Sequence, residues 1–222
     1  MPTISVENYL KTIYKLENRA DDRVKTKGIA DELEISLPSV TSMIKSLSDE
    51  GLVDYEKYRG VMLTDEGTRL ALKVIRKHRL VELFLVETLG YSWDEVHAEA
   101  ERLEHAISDE LAHRMESYLS FPRFDPHGDP IPSADGTIHE STAISLDSVE
   151  PGARVTMERV LDQDPEMLRY LERISLIPGR AFTVKERLPF DGQMFIELGD
   201  GAPTALSHAL STRIMVVVED AS

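Results

Sequence analysis

The chain has 222 residues, no cysteine, 41% hydrophobic residues and a formal net charge of −15. Its length allows one large domain or two to three small ones, and its apolar content excludes a disordered acidic chain. The lack of cysteine excludes disulfides, thiolate metal sites and cysteine nucleophiles. With no apolar run of membrane-spanning length and no basic-then-apolar leader, it predicts a soluble cytoplasmic protein without a membrane partner.

Taken globally, the charge opposes nucleic-acid binding, because phosphate contacts need Lys and Arg. It is −3 over residues 1–70, −7 over 71–140 and −5 over 141–222, and the first third also clusters its bases as Arg23-Val-Lys25-Thr-Lys27 and Lys57-Tyr-Arg59. A basic face on an acidic chain stays compatible with this distribution.

Residues 1–70 read as a DNA-binding domain. Val6, Tyr9, Leu10, Ile13, Tyr14 and Leu16 recur at helical spacing, with Ser5 as N-cap. A short helix over 26–33 follows, and Ser36-Leu37-Pro38-Ser39 then opens a second one that buries Val40, Met43, Ile44 and Leu47 and stops at Gly51. Two alternating stretches, 52–55 and 61–64, flank a turn at Arg59-Gly60. This order is that of a winged helix-turn-helix. It places Ser36, Pro38, Ser39, Thr41, Ser42 and Lys45 toward a major groove, with Lys25, Lys27 and Arg59 near the phosphate backbone. Small hydroxyl residues suit phosphate, shape and methyl contacts better than bidentate base reading. Winged helices also serve as protein-interaction modules, although DNA binding is their commoner use.

Residues 71–122 read as a helical metal-binding and dimerisation domain. A helix starting near Asp65 carries His78 and Glu82 four residues apart. A second helix, predicted over 93–106, lines His97, Glu101 and His105 on one face with Glu104 beside them. Such imidazoles and carboxylates repel and resist desolvation unless a cation sits among them, and the mixed donors suit Mn²⁺, Fe²⁺, Co²⁺ or Zn²⁺. Any one of these residues alone is compatible with a solvated helix face; the cluster points to metal. Ser108 caps a further helix, and Val81, Leu85 and Val86 are expected on a dimer surface.

Residues 123–142 are rich in Pro and Gly and read as a linker. From 143 to 222, short apolar strands near 153–157, 180–185, 194–198 and 213–218, interrupted by one helix from Asp164 to Arg173, predict a small β-barrel. The whole is an α+β chain: winged helix-turn-helix, helical dimerisation domain, β domain.

A carboxylate-bridged di-metal enzyme is an alternative reading of Glu101-x-x-Glu104-His105 and Glu110-x-x-His113, but it needs matching motifs on four facing helices that the chain does not offer. A winged-helix regulator sensing an organic ligand would need an apolar pocket in place of polar clusters. No nucleophile triad or phosphate-binding Gly loop supports catalysis.

The motifs Tyr9-Leu10-x-x-Ile13-Tyr14, Lys77-His78-Arg79-Leu80, Glu104-His105-x-x-Ser108 and Gly128-Asp-Pro130-Ile-Pro132, followed by a β domain, resemble the metal-dependent repressors of the diphtheria toxin repressor family. The resemblance covers essentially the whole chain. It implies a homodimeric transcriptional regulator that represses metal-uptake genes from a palindromic double-stranded operator, with metal as corepressor, and an SH3-like (FeoA-like) C-terminal domain. It carries a primary metal site onto Asn8, Glu101, Glu104 and His105. An ancillary site falls on His78, Glu82 and His97, with β-domain ligands at Gln163-Asp164-Pro165-Glu166, of which Asp164 and Glu166 are the candidates. Iron-type members have Met and Cys where Asn8 and Glu101 stand, so the oxygen donors here favour Mn²⁺, with Fe²⁺ as second candidate. Manganese-type members carry Asp and Glu in place of Asn8 and Lys11.

Overall fold

The computed structural model describes residues 2–20, 23–199 and 201–219. The chain forms two compact units: Met1–His78 with Glu104–Ile107 and Pro132–Thr137, and Arg79–Leu103 with Ser108–Ile131 and Ile138–Ser222. Helix α4, Asp65–Leu89, contributes to both.

The first unit contains α1 (Ile4–Ala20), α2 (Thr26–Glu32), α3 (Leu37–Asp49) and a hairpin of β1 (Val53–Glu56) with β2 (Gly60–Leu63). Its core joins Tyr9, Leu10 and Ile13 of α1 to Ile29, Val40, Ile44, Leu47 and Val61, the periodic apolar positions expected. The winged helix-turn-helix order is therefore observed. Thr3 rather than Ser5 caps α1, its hydroxyl accepting from the Val6 N–H at 3.3 Å. Ser36 caps α3 as expected, accepting from the Ser39 N–H at 3.4 Å, with Pro38 in the first turn. Val24 bridges Val61 as a third strand-like partner of the wing, and a Cβ at Gly60 (φ +123°) would lie 2.6 Å from the Val24 carbonyl oxygen. Glycine is required there.

The second unit holds the later turns of α4, then α5 (Val96–Leu103) and α6 (Asp109–Tyr118), which Ser108 caps. Six antiparallel strands follow: β3 (Ile144–Ser145), β4 (Arg154–Val160), β5 (Ala181–Arg187), β6 (Met194–Glu197), β7 (Thr204–Leu206) and β8 (Ile214–Val218). They order as β3-β8-β4-β5-β6-β7, with α7 (Pro165–Arg173) after β4 and α8 (His208–Ser211) before β8. Val155, Met157, Phe182, Val184, Ile196 and Val216 alternate into a core that includes Leu168, Leu171 and the sole tryptophan, Trp93.

Three further expectations change. The helix predicted over 93–106 ends at Leu103, so His105 does not share a helical stripe with His97 and Glu101. Val81 and Leu85 are buried within the chain and Val86 is half-buried; the exposed apolar side chains of this region are Leu89, Tyr91, Leu111, Tyr118 and Phe121. Leu80, Val81 and Leu85 supply apolar surface on several sides of α4, which one-sided amphipathicity does not anticipate. The Pro-rich stretch read as a linker also carries defined contacts, described below. No helix among the described residues is long and apolar enough to cross a membrane.

Candidate functional site

Among the described residues, each unit gathers nitrogen and oxygen donors. The first cluster is built on α1, α4 and the turn that follows α5. Glu104, almost fully buried, places Oε2 2.5 Å from His78 Nδ1 and Oε1 2.5 Å from Lys11 Nζ. His105 turns Nδ1 toward Glu7 Oε2 at 2.5 Å and Nε2 toward Glu104 Oε1 at 3.2 Å. Lys77 supports the turn by donating to the Ile107 carbonyl at 2.8 Å, and Arg76 donates to the Pro132 carbonyl at 2.8 Å.

Of the expected primary ligands, Glu104 and His105 are brought together in this unit. Asn8 keeps a buried Oδ1 with no hydrogen-bond partner, a side-chain acceptor left without a donor in α1. Glu101 instead stands near His97, Oε1 to Nε2 3.6 Å. Glu7 and Lys11 were missed as members of the cluster. Lys11 is three residues from Asn8 on the same helical face, which was the available signal.

The second cluster centres on Glu82, Asp125 and His127, whose donor atoms lie within 4.8 Å of one another and which are all buried. Asp125 Oδ1 accepts the N–H groups of His127 (2.8 Å) and Asp129 (2.9 Å), closing a turn over Asp125–Asp129. Its buried Oδ2 has no hydrogen bond and faces Arg79 Nε at 3.7 Å. His127 donates through Nε2–H to the Trp93 carbonyl, 2.7 Å away, and its Nδ1 lies 3.7 Å from Glu82 Oε2. Gln163 brings its amide nitrogen within 3.3 Å of His127 Nδ1. On the other carboxylate oxygen, Glu82 Oε1 meets His97 Nδ1 at 3.0 Å.

The expected pair Glu82 and His97 is thus in contact, and His78 also bonds Glu104. Asp164 is occupied as the N-cap of α7, accepting from the Met167 N–H at 2.9 Å, and Glu166 is exposed; neither is grouped with His127. Asp125 and His127 escaped sequence reasoning because they sit in a Pro/Gly-rich stretch. The resembling motifs acquire physical roles here. Arg79 donates to the Pro130 carbonyl at 2.5 Å, Leu80 and Ile131 are buried, and Gly128 (φ +88°) lets the turn press against β4.

The electrostatics of this cluster match a place for a cation. Burial pushes the Asp125 carboxyl up to about 8, reinforced by Glu82 and Asp129 and opposed by Arg79 and His127. Burial by itself lowers His127, yet hydrogen bonding and charge from Glu82, then Asp125 and the Trp93 carbonyl, raise it to about 9. Both values lie above the ordinary 3.8 and 6.5, so the folded chain retains protons that the unfolded chain releases. The stability they contribute is complete below the unfolded values and is lost as pH rises through 8 to 9. Metal-free protein is therefore expected to lose stability from about pH 4 to 9 in urea titrations, through Asp125 from about 4 to 8 and His127 from about 6.5 to 9, while divalent-metal affinity rises over the same window, because ligation displaces those protons. Metal affinity that is flat or falls with pH would contradict the assignment.

The residues expected to face DNA lie largely at the surface. Ser36, Pro38, Ser39, Ser42 and Lys45 are exposed on α3, and Thr41 is half-buried with its hydroxyl donated to the Leu37 carbonyl at 2.9 Å. Exposed Lys25 donates to the Arg59 carbonyl at 2.7 Å, Lys27 is exposed, and exposed Arg59 pairs with Glu56 at 2.6 Å. Arg23, bound to Asp54 and Glu56, braces the wing from below.

Sequence comparison places these features in a family. Residues 1–61 match the iron dependent repressor N-terminal DNA binding domain, 64–133 the iron dependent repressor metal binding and dimerisation domain, and 144–218 the FeoA domain. The iron-dependent repressor IdeR of Mycobacterium tuberculosis is 40% identical over 221 residues, covering 93% of this chain and 95% of its own. The chain belongs to the iron-dependent repressor family. Its members are metal-dependent, DNA-binding transcriptional regulators with a dimerisation domain, and the winged helix, helical domain and FeoA domain seen here are theirs. A solved manganese-dependent transcriptional repressor in complex with manganese shares 41% identity at a TM-score of 0.90, covering 96% of this chain and 100% of that one. ScaR with bound Zn²⁺ shares 34% identity at a TM-score of 0.80, covering 97% and 99%.

Proposed function

We propose that this family member is a cytoplasmic, non-catalytic repressor of metal-uptake genes that binds a palindromic operator as a homodimer and uses Mn²⁺, or secondarily Fe²⁺, as corepressor. The observation that carries the reading is the donor chemistry: the metal-ligating groups of both clusters are carboxylate oxygen, amide oxygen and imidazole nitrogen, and the chain has no cysteine to supply a thiolate. Such a set favours Mn²⁺ over metals that select thiolate. Similarity to a manganese-loaded repressor adds to this.

The ligands proposed are Glu7, Asn8, Glu104 and His105 in the first cluster, with Glu82, Asp125 and His127 in the second and His97 and Glu101 alongside it. A divalent cation would supply, when bound, a compact positive charge among these carboxylates. Glu7 and Asn8 then hold α1 to the 104–105 turn, and the α1 core residues Tyr9, Leu10 and Ile13 carry that constraint to α3 through Ile44 and Leu47. The recognition helices of the two copies consequently hold one spacing, near a helical turn or a multiple of it. Ser39, Ser42 and Lys45 meet phosphates and base edges, with Lys25, Lys27 and Arg59 flanking.

Fluorescence anisotropy on a duplex from the chain's own promoter, titrated with protein at fixed concentrations of Mn²⁺, Fe²⁺, Zn²⁺ or Mg²⁺, tests the reading. Saturable binding that requires Mn²⁺ or Fe²⁺ and is not supported by Mg²⁺ is expected. Binding that is indifferent to every metal would refute it.

A further inference from the structure

Lys11 stands in the first cluster where a second anion would strengthen cation binding. It is 5% exposed, and its ammonium lies 2.5 Å from Glu104 Oε1, while His78 occupies the neighbourhood of Oε2 at the same distance. Glu104 is 1% exposed, so its negative charge is held away from water and requires a partner. Lysine is suited to this task, as a compact point charge on a flexible four-carbon stem that can advance and withdraw without moving the helix that bears it.

We propose that Lys11 is a tethered cation that competes with the metal for Glu104. In metal-free protein its ammonium neutralises Glu104 and keeps the cluster folded. On metal loading Lys11 gives up Glu104 Oε1, or shares it at the expense of like-charge repulsion. Lys11 therefore lowers the affinity of this cluster, setting the metal concentration at which the repressor responds. The inference rests on the metal-centre reading above. A merely structural ion pair makes the opposite forecast: its loss weakens the loaded and metal-free forms alike, and metal binding does not improve.

The test uses full-length protein carrying Glu82→Gln and His97→Gln, which suppress the second cluster and the donors beside it, and compares Lys11→Met, Lys11→Gln and Lys11→Arg by Mn²⁺ calorimetry and metal-induced change in Tm. Because removing one positive charge beside a divalent ion relieves a strong repulsion, the Met and Gln variants are expected to bind Mn²⁺ about tenfold tighter or more. Their metal-free Tm should fall and their metal-induced rise in Tm should exceed that of the parent, whereas Lys11→Arg stays near the parent. A variant that folds only when Mn²⁺ is supplied also supports the exchange. Equal or weaker Mn²⁺ binding in both neutral variants overturns it, as does a neutral variant that stays unfolded at saturating Mn²⁺. A parent that binds no Mn²⁺ at this cluster overturns the metal-centre reading together with the inference.

Discussion

Gly128→Ala is expected to destabilise the metal-free protein by about 3–5 kcal/mol, combining left-handed backbone strain with overpacking, and to abolish metal binding at Glu82, Asp125 and His127. Gly128 has φ +88°, and a Cβ there would lie 1.9 Å from the Glu158 carbonyl oxygen and 2.7 Å from the Arg159 Cα, both backbone atoms of β4 that have nowhere to retreat. The neighbouring contacts depend on this approach: the Val160 N–H donates to the His127 carbonyl at 3.0 Å, and Arg159 reaches Asp129 at 3.4 Å. Forcing the turn away from β4 withdraws His127 from Trp93 and Asp125 from Arg79 together. Trp93, the sole tryptophan, has its ring centroid 6.1 Å from that of His127, so its fluorescence should respond to Mn²⁺ in the wild-type chain and lose that response in the variant. A variant with an unchanged urea midpoint and an intact fluorescence response would show that the turn does not form the site.

Glu104→Ala is expected to act on the other cluster with comparable force. It removes the anion from a buried ammonium and from two imidazoles, and stranding a buried charge in this way costs about 3–5 kcal/mol. Metal-dependent operator binding should be lost with it. The double variant Lys11→Met/Glu104→Ala should recover more than half of the lost stability but none of the metal response, because the stranded charge is gone while the ligand is still missing. Chemical denaturation followed by anisotropy separates the two effects. A single variant with wild-type stability, or one that still needs Mn²⁺ to bind DNA, would remove Glu104 from its assigned place.

Much of the architecture was legible from local signals. The Ser36-Leu37-Pro38 start of α3, the 3.6-residue periodicity of α1 and the alternating β4, β5 and β8 segments each encode a single local structure, and local structure prevailed. The candidate site was only half legible, since its grouping depends on tertiary contacts. His97, Glu101 and His105 share one face only if a single helix continues through them. The helix stops at Leu103, and the following turn carries Glu104 and His105 into the unit of α1. Asp125 and His127 lay in a stretch whose Pro and Gly content signals a loop but cannot show that Arg76 and Arg79 clasp its carbonyls. Glu7 and Lys11 are charged residues on an amphipathic helix, a pattern that ordinarily marks the solvent face; only the contacts with His105 and Glu104 distinguish them.

Metal control of DNA binding requires free energy shared between the donor clusters and the DNA-reading helices. Thermodynamic linkage makes that sharing reciprocal, so the decisive measurement is the Mn²⁺ affinity of the full-length protein with and without saturating operator duplex. Coupling of about 1–3 kcal/mol predicts Mn²⁺ binding roughly 5–150-fold tighter on the operator than off it. Identical Mn²⁺ affinities in the two titrations would contradict the account.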